Sequence, residues 1–160
     1  MSAPQVEISP ARTAEEIASI GELFREYSAS IGVDHEYQGF SSELAGLPGQ
    51  YAPPSGDLLV ASVNGAAAGC VALRRLDQST LEMKRLYVRP SARGAGLGKL
   101  LVEAAISIAR QNGYAELRLD TLASMASAQK LYGALGFVEI PPYGKAFLPG
   151  TRFYSLQLAT

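Results

Sequence analysis

The sequence predicts a three-layer α/β fold, a mixed sheet with helices on both faces. Two observations carry that expectation. Strand-like runs and helical periodicities follow one another in the order β-α-(α)-β-β-β-α-β-α-β-β. One strand, LEMKRLYV (81–88), also runs through the turn RGAGLG (93–98) into a leucine-spaced helix. The 160 residues suit one domain, and 48% hydrophobic with 18% charged residues is ordinary for a globular chain. The expected divisions are 1–56 for entry helices and a loop, 57–140 for the core, and 141–160 for a closing loop and strand.

The elements can be justified in order. Residues 5–8 read as a short first strand. TAEE then places Thr13 as N-cap with Glu16 three residues on, a capping box, and Ile17, Ile20, Phe24, Tyr27 and Ile31 follow at helical spacing. The loop-rich stretch 32–56 has room for a short helix at 41–45. DLLVASV and AAAGCVALRRL flank Asn64-Gly65, a hairpin turn whose two residues need positive φ. LEMKRLYV ends at Pro90. Leu97, Leu100, Leu101, Ala104, Ala105 and Ile108 predict the apolar face of the next helix, which stops at Asn112-Gly113. AELRLDTL is a strand, 124–135 a second amphipathic helix ended by Gly136, and FVEI and RFYSLQL the closing strands.

Composition excludes several functions. Cys70 is the only cysteine, so no intramolecular disulfide is possible and a reducing compartment fits. Residues 1–5 do not resemble a secretory leader, and no apolar run approaches the ~20 residues that span a bilayer. The expectation is a cytoplasmic protein with neither membrane nor nucleic-acid partner, because the basic cluster is short and local. Eight acids stand against one base between Thr13 and Asp57, while five bases stand against one acid between Glu82 and Lys99. An anion would prefer the second stretch and a cation the first.

RGAGLG has the ingredients of a phosphate cradle: glycines, a helix N-terminus with free N–H groups, and Arg93 and Lys99 beside it. It is not a Walker loop, since Arg93 and Leu100 stand where the first glycine and the Ser/Thr belong. Nor is it a dinucleotide fingerprint, since Lys99 occupies the third glycine position.

R-x-x-G-x-G (Arg93, Gly96, Gly98) after MKRLYV resembles the acetyl-coenzyme-A motif of the GNAT superfamily of N-acetyltransferases. AQKLYGALGF resembles that superfamily's following helix, which carries a tyrosine and ends in Gly-Phe. The resemblance spans about residues 57–140 firmly. It implies a mostly antiparallel sheet of six to seven strands whose central strands splay apart. It also implies acetyl-CoA as cosubstrate, no metal, an amine acceptor and often a homodimer.

Residue by residue, the resemblance implies that the pyrophosphate rests on the backbone of Arg93, Gly94, Ala95, Gly96, Leu97, Gly98 and Lys99. The pantetheine arm pairs with the backbone of Leu86, Tyr87 and Val88. Tyr132 matches the tyrosine that faces the thioester sulfur, although Ala128, Leu131 and Leu135 on its helix also fit a plain core role. Glu82 is the first candidate for the base that neutralises the amine, Asp120 the second, and His35 a weaker third. An asparagine common seven residues before the tyrosine is replaced by Met125, so contacts of Met125 and Ala128 with the cofactor are apolar or through backbone. Tyr27, Phe40 and Tyr143 are expected walls for the acceptor, and acids among aromatics suit a cationic amine. Two alternatives remain open, a CoA-binding module without turnover and a transferase using another acyl donor.

Overall fold

The computed structural model describes residues 4–32, 39–122, 124–144 and 147–158. Strands β1 (Val6–Pro10), β2 (Asp57–Val63), β3 (Ala66–Arg75), β4 (Thr80–Val88), β5 (Glu116–Thr121), β6 (Val138–Ile140) and β7 (Arg152–Gln157) form one sheet in the order β1-β2-β3-β4-β5-β7-β6. Only β4 and β5 are parallel; every other neighbouring pair is antiparallel. The helices are α1 (Ala14–Ser30), α2 (Phe40–Ala45), α3 (Leu97–Gln111) and α4 (Ala126–Ala134). The seven-stranded mixed sheet and the expected element order are both present. No helix among the described residues is long and apolar enough to cross a membrane.

Local chemistry accounts for the boundaries. The Thr13 hydroxyl accepts from the Glu16 N–H at 3.1 Å, and Glu16 Oε1 accepts from the Thr13 N–H at 2.9 Å, completing the capping box of α1. Asn64 and Gly65 sit at φ 51° and 84°, the pair of positive values a two-residue hairpin requires. In α3 the buried stripe is Leu97, Leu101, Val102, Ala105, Ile106 and Ala109, rotated from the expected face, and Leu100 is exposed. The helix is apolar over a wide arc, so spacing alone left two stripes available and packing on the sheet chose between them.

The core lies in two slabs, one on each face of the sheet. Leu59, Val71, Leu81, Met83, Leu117 and Leu119 face α3 and α4, with Leu101 and Tyr132 above them. Leu58, Val60, Cys70, Ala72 and Tyr87 face α1, meeting Ile20, Leu23 and Phe24.

Alternation along β4 breaks once. Cys70 pairs with Tyr87 and Ala72 with Lys84, so Arg85 and Leu86 together oppose Val71. This β-bulge holds Arg85 at φ 60°. Leu86 and Val88 thereby join the α3 side, while Tyr87 turns to the α1 side. Arg85 is buried under α2, where its Nε and Nη2 donate to Glu43 at 3.0 Å each and its guanidinium lies 5.2 Å from the Phe40 ring centre. The Cys70 thiol, which burial pushes to a higher pKa, donates to the Arg85 carbonyl at 3.4 Å.

A second pair, Arg89 with Glu26 at 2.7 Å, ties β4 to α1 and holds the Glu26 carboxyl below its ordinary 4.5. It is much more exposed than Arg85–Glu43, and burial decides what each is worth. Glu43→Gln is expected to cost ~3 kcal/mol by leaving a buried guanidinium short of its carboxylate. Glu26→Gln is expected to cost no more than ~1 kcal/mol. Urea unfolding of both variants checks the ranking, and equal losses would contradict it.

Candidate active site

Pairing of β4 with β5 begins at Thr80–Glu116 and stops at Met83–Leu119. Beyond that point β4 stays on β3 while Asp120 and Thr121 stay on β7. A cleft opens where the strands part, lined by Tyr27, Met83, Lys84, Arg85, Leu86, Asp120, Thr121, Met125 and Tyr132. It reaches both faces of the sheet: Tyr27 comes from α1 and Tyr132 from α4. Its inner space is about 20 Å³, the room one water needs.

Above the cleft, β4 leads through the 3-10 turn Pro90–Ala92 into the glycine-rich loop. Gly94 and Gly96 take φ 93° and 76°. Both have open space where a Cβ would stand, so backbone conformation and not crowding selects glycine there. Gly96 is the N-cap of α3 and lacks a side-chain cap, which leaves the first amides of Leu97, Gly98 and Lys99 pointing outward at the positive end of the helix. Arg93 donates from Nε to the Val88 carbonyl at 3.2 Å, folding the loop back on its strand. The 93–99 stretch therefore has the geometry of an anion cradle.

Tyr132 is buried, with ring centres of Phe137 and Tyr154 at 5.7 and 6.1 Å. Its hydroxyl makes no hydrogen bond among the described residues. Burial, then Tyr27 and Asp120, push its pKa above the ordinary 10.0, so it stays a protonated donor. This one side chain both packs in the core and lines the cleft.

Glu82 is buried and doubly engaged: Oε1 accepts from Arg74 Nε at 2.6 Å and Oε2 from the Tyr143 hydroxyl at 2.9 Å. It does not line the cleft. Asp120 does, with Lys84 Nζ at 3.9 Å, the same distance that separates Lys84 from Glu82. Removal from water raises the Asp120 carboxyl above its ordinary 3.8, against the pull of Lys84. His35 lies outside the described residues.

Other expected residues divide. Leu86 and Met125 line the cleft, and the Tyr27 hydroxyl reaches across it to Met125 Sδ at 3.9 Å. Met125 is the N-cap of α4 and supplies no capping bond. Val88 and Ala128 pack on the α3-side core. The Tyr87 side chain points the other way and donates to Glu26 at 3.3 Å, and its backbone pairs with Cys70 on β3. Tyr143 is anchored by Phe153, 5.0 Å away, and by Arg118 over its ring. Phe40 sits beneath Arg85 and does not line the cleft. The acids of the first stretch are largely committed: Glu26 to Arg89, Glu43 to Arg85, Asp57 to Arg12, and Glu16 to the cap. Asp34 and Glu36 lie outside the described residues. Lys84, Arg85 and Thr121 were not singled out from sequence. A Lys-Arg pair inside an apolar strand, and a threonine in step with Leu117 and Leu119, were the signals available.

The model of the acetyltransferase (GNAT) family matches residues 17–137. The chain belongs to the GNAT family and is an acyltransferase. An uncharacterized N-acetyltransferase of Schizosaccharomyces pombe is 35% identical over 99% of each chain. A GNAT acetyltransferase of Staphylococcus aureus shares the fold with a TM-score of 0.82, at 23% identity, over 97% of this chain and 100% of that one. A Salmonella typhimurium protein described as an acetyltransferase, solved with its cofactor acetyl-CoA, aligns with a TM-score of 0.68, at 24% identity, over 96% of this chain and 94% of that one. GNAT acetyltransferases use acetyl-CoA, and among the described residues no cluster of acids, histidines and cysteine suits a metal.

The two loop glycines should respond differently to substitution in this GNAT protein. Gly96→Ala forces a left-handed residue and is expected to cost ~1 kcal/mol of stability. At Gly98 an added Cβ would meet Leu131 Cδ2 at 3.8 Å, an ordinary contact, so Gly98→Ala should fold as well as the parent. If the loop holds the diphosphate, both variants bind acetyl-CoA more weakly. Calorimetric titration beside thermal unfolding tests this, and unchanged affinity in both variants would contradict it.

Proposed function

We propose that this protein is an N-acetyltransferase that moves an acetyl group from acetyl-CoA to a primary amine by direct attack in a ternary complex. The observation that carries this reading is the gap between β4 and β5, with Tyr132 on its α4 face and Asp120 on the opposite one. Cofactor and acceptor would meet there from opposite faces of the sheet.

In this reading the pyrophosphate lies on the 93–99 amides, and the arm runs down the unpaired edge of β4 along Leu86, Tyr87 and Val88. Residues 57–140 make the cofactor half, 1–56 the acceptor side, and 141–160 the closing wall with Tyr143. A cytoplasmic setting suits the single, buried Cys70.

The amine must be neutral to attack. For a lysine-like group, losing its proton at pH 7 costs roughly 4.6 kcal/mol. Asp120 is the better placed base, because it lines the cleft, whereas both oxygens of Glu82 already accept bonds. Its raised pKa makes it a stronger base than a solvated carboxylate. Glu82 would then act by holding Arg74 and Tyr143. As nitrogen attacks the thioester carbon, the C–S bond breaks and the thiolate receives a hydrogen bond from Tyr132. Three of the acids once expected to attract a cationic acceptor, Glu26, Glu43 and Asp57, are paired with arginines.

Tyr132→Phe is expected to lower kcat about tenfold or more with little change in the KM for acetyl-CoA. Asp120→Asn is expected to lower kcat about a hundredfold, and Glu82→Gln less. Thiol release from acetyl-CoA, assayed over a panel of cationic, neutral and acidic amines, reads all three. Unchanged turnover in Tyr132→Phe would take Tyr132 out of the mechanism.

A further inference from the structure

Thr121 ends β5 at the mouth of the cleft. Its Oγ1 is fully buried and has no hydrogen-bond partner among the described residues. Proteins rarely leave a buried hydroxyl orphaned, because its lost hydration is not repaid. The backbone of Thr121 is not at fault, since it pairs with Arg152 on β7.

The facing of β5 says which ligand would satisfy the hydroxyl. Leu117 and Leu119 point into the α3–α4 slab, and Thr121 continues that alternation, on the same face as Tyr132. Asp120 points to the other face, toward Lys84. A hydroxyl on the Tyr132 face addresses the cofactor, and one on the Asp120 face would address the acceptor.

We infer that Thr121 Oγ1 is a positioning group that donates a hydrogen bond to a carbonyl oxygen at the acyl end of the coenzyme arm, either the thioester or the amide nearest it. This rests on the reading of the cleft as the acetyl-CoA site. The parent protein tolerates the orphaned hydroxyl because the bound cofactor satisfies it. Two opposite effects follow from removing the oxygen while keeping the shape. Ligand-free protein is relieved of an unpaired polar atom, and the complex loses a bond.

The test uses the full chain as parent, Thr121→Val and Thr121→Ser, titrated with acetyl-CoA and with free CoA, together with unfolding of each ligand-free protein. Thr121→Val is expected to bind acetyl-CoA about tenfold more weakly while unfolding at or above the parent's midpoint. Thr121→Ser should bind within about twofold of the parent. A loss seen with both ligands puts the bond on the amide, and a loss confined to acetyl-CoA puts it on the thioester; either supports the inference. Unchanged affinity in Thr121→Val, with the parent binding acetyl-CoA, overturns the role of Thr121 alone. A lowered midpoint in Thr121→Val shows a structural hydroxyl and overturns it as well. A parent that fails to bind acetyl-CoA overturns the reading of the cleft, and this inference with it.

Discussion

The parting of β4 from β5 is the constraint to which the other features of the site answer. Two parallel strands pair at four positions and then separate, which exposes backbone groups that a continuous sheet would have satisfied. The bulge at Arg85 accompanies this by shifting the alternation of β4 just where the opening begins. A non-glycine residue in the left-handed region costs roughly 1–2 kcal/mol. The bidentate contact with Glu43, the Phe40 ring and the Cys70 thiol hold Arg85 there, so strain at the opening is offset by packing behind it.

The ion pairs around the opening differ in kind, and their distances show it. Arg74–Glu82, Arg85–Glu43 and Arg89–Glu26 lie at 2.6–3.0 Å and join separate elements to β3 or β4. They tie α1 through Glu26, α2 through Glu43, and the 141–144 segment through the Tyr143–Glu82 bond to the strands, and of these α1 lines the cleft through Tyr27. Lys84 stands apart, 3.9 Å from each of two carboxylates and closely bonded to neither. Asp120 is therefore less tightly held than Glu82, the latitude that the base of the proposed reaction would need.

Most of the fold was legible in the sequence because its signals are local. A capping box, an Asn-Gly turn and a proline after a strand each act over a few residues, and packing did not override them. The face of α3 was misplaced because Val102, Ile106 and Ala109 are as apolar as the expected stripe. The glycine loop and Tyr132 were legible as motifs. The engagement of Glu82 was not, since it depends on which carboxylate Arg74 and Tyr143 reach, and the Tyr143 contact spans distant parts of the chain. The pairing of the acidic first stretch was hidden for the same reason. Charge counted along the sequence does not reveal that Arg12, Arg85 and Arg89 pair with Asp57, Glu43 and Glu26 in space.

In the proposed reaction, burial of Tyr132 would limit what it can do at the leaving sulfur. With ordinary values near 10 for tyrosine and 8.5 for a thiol, passing the proton to the thiolate is uphill by roughly 2 kcal/mol. Removal from water raises the tyrosine further, which makes complete transfer harder and keeps the hydroxyl protonated. A fixed donor in a cleft with room for about one water still stabilises developing negative charge better than mobile solvent, since its orientation is set before the bond breaks. The rings of Phe137 and Tyr154 supply that orientation. The aromatic packing that makes Tyr132 look like a core residue is thus what would qualify it as a hydrogen-bond donor to the thiolate.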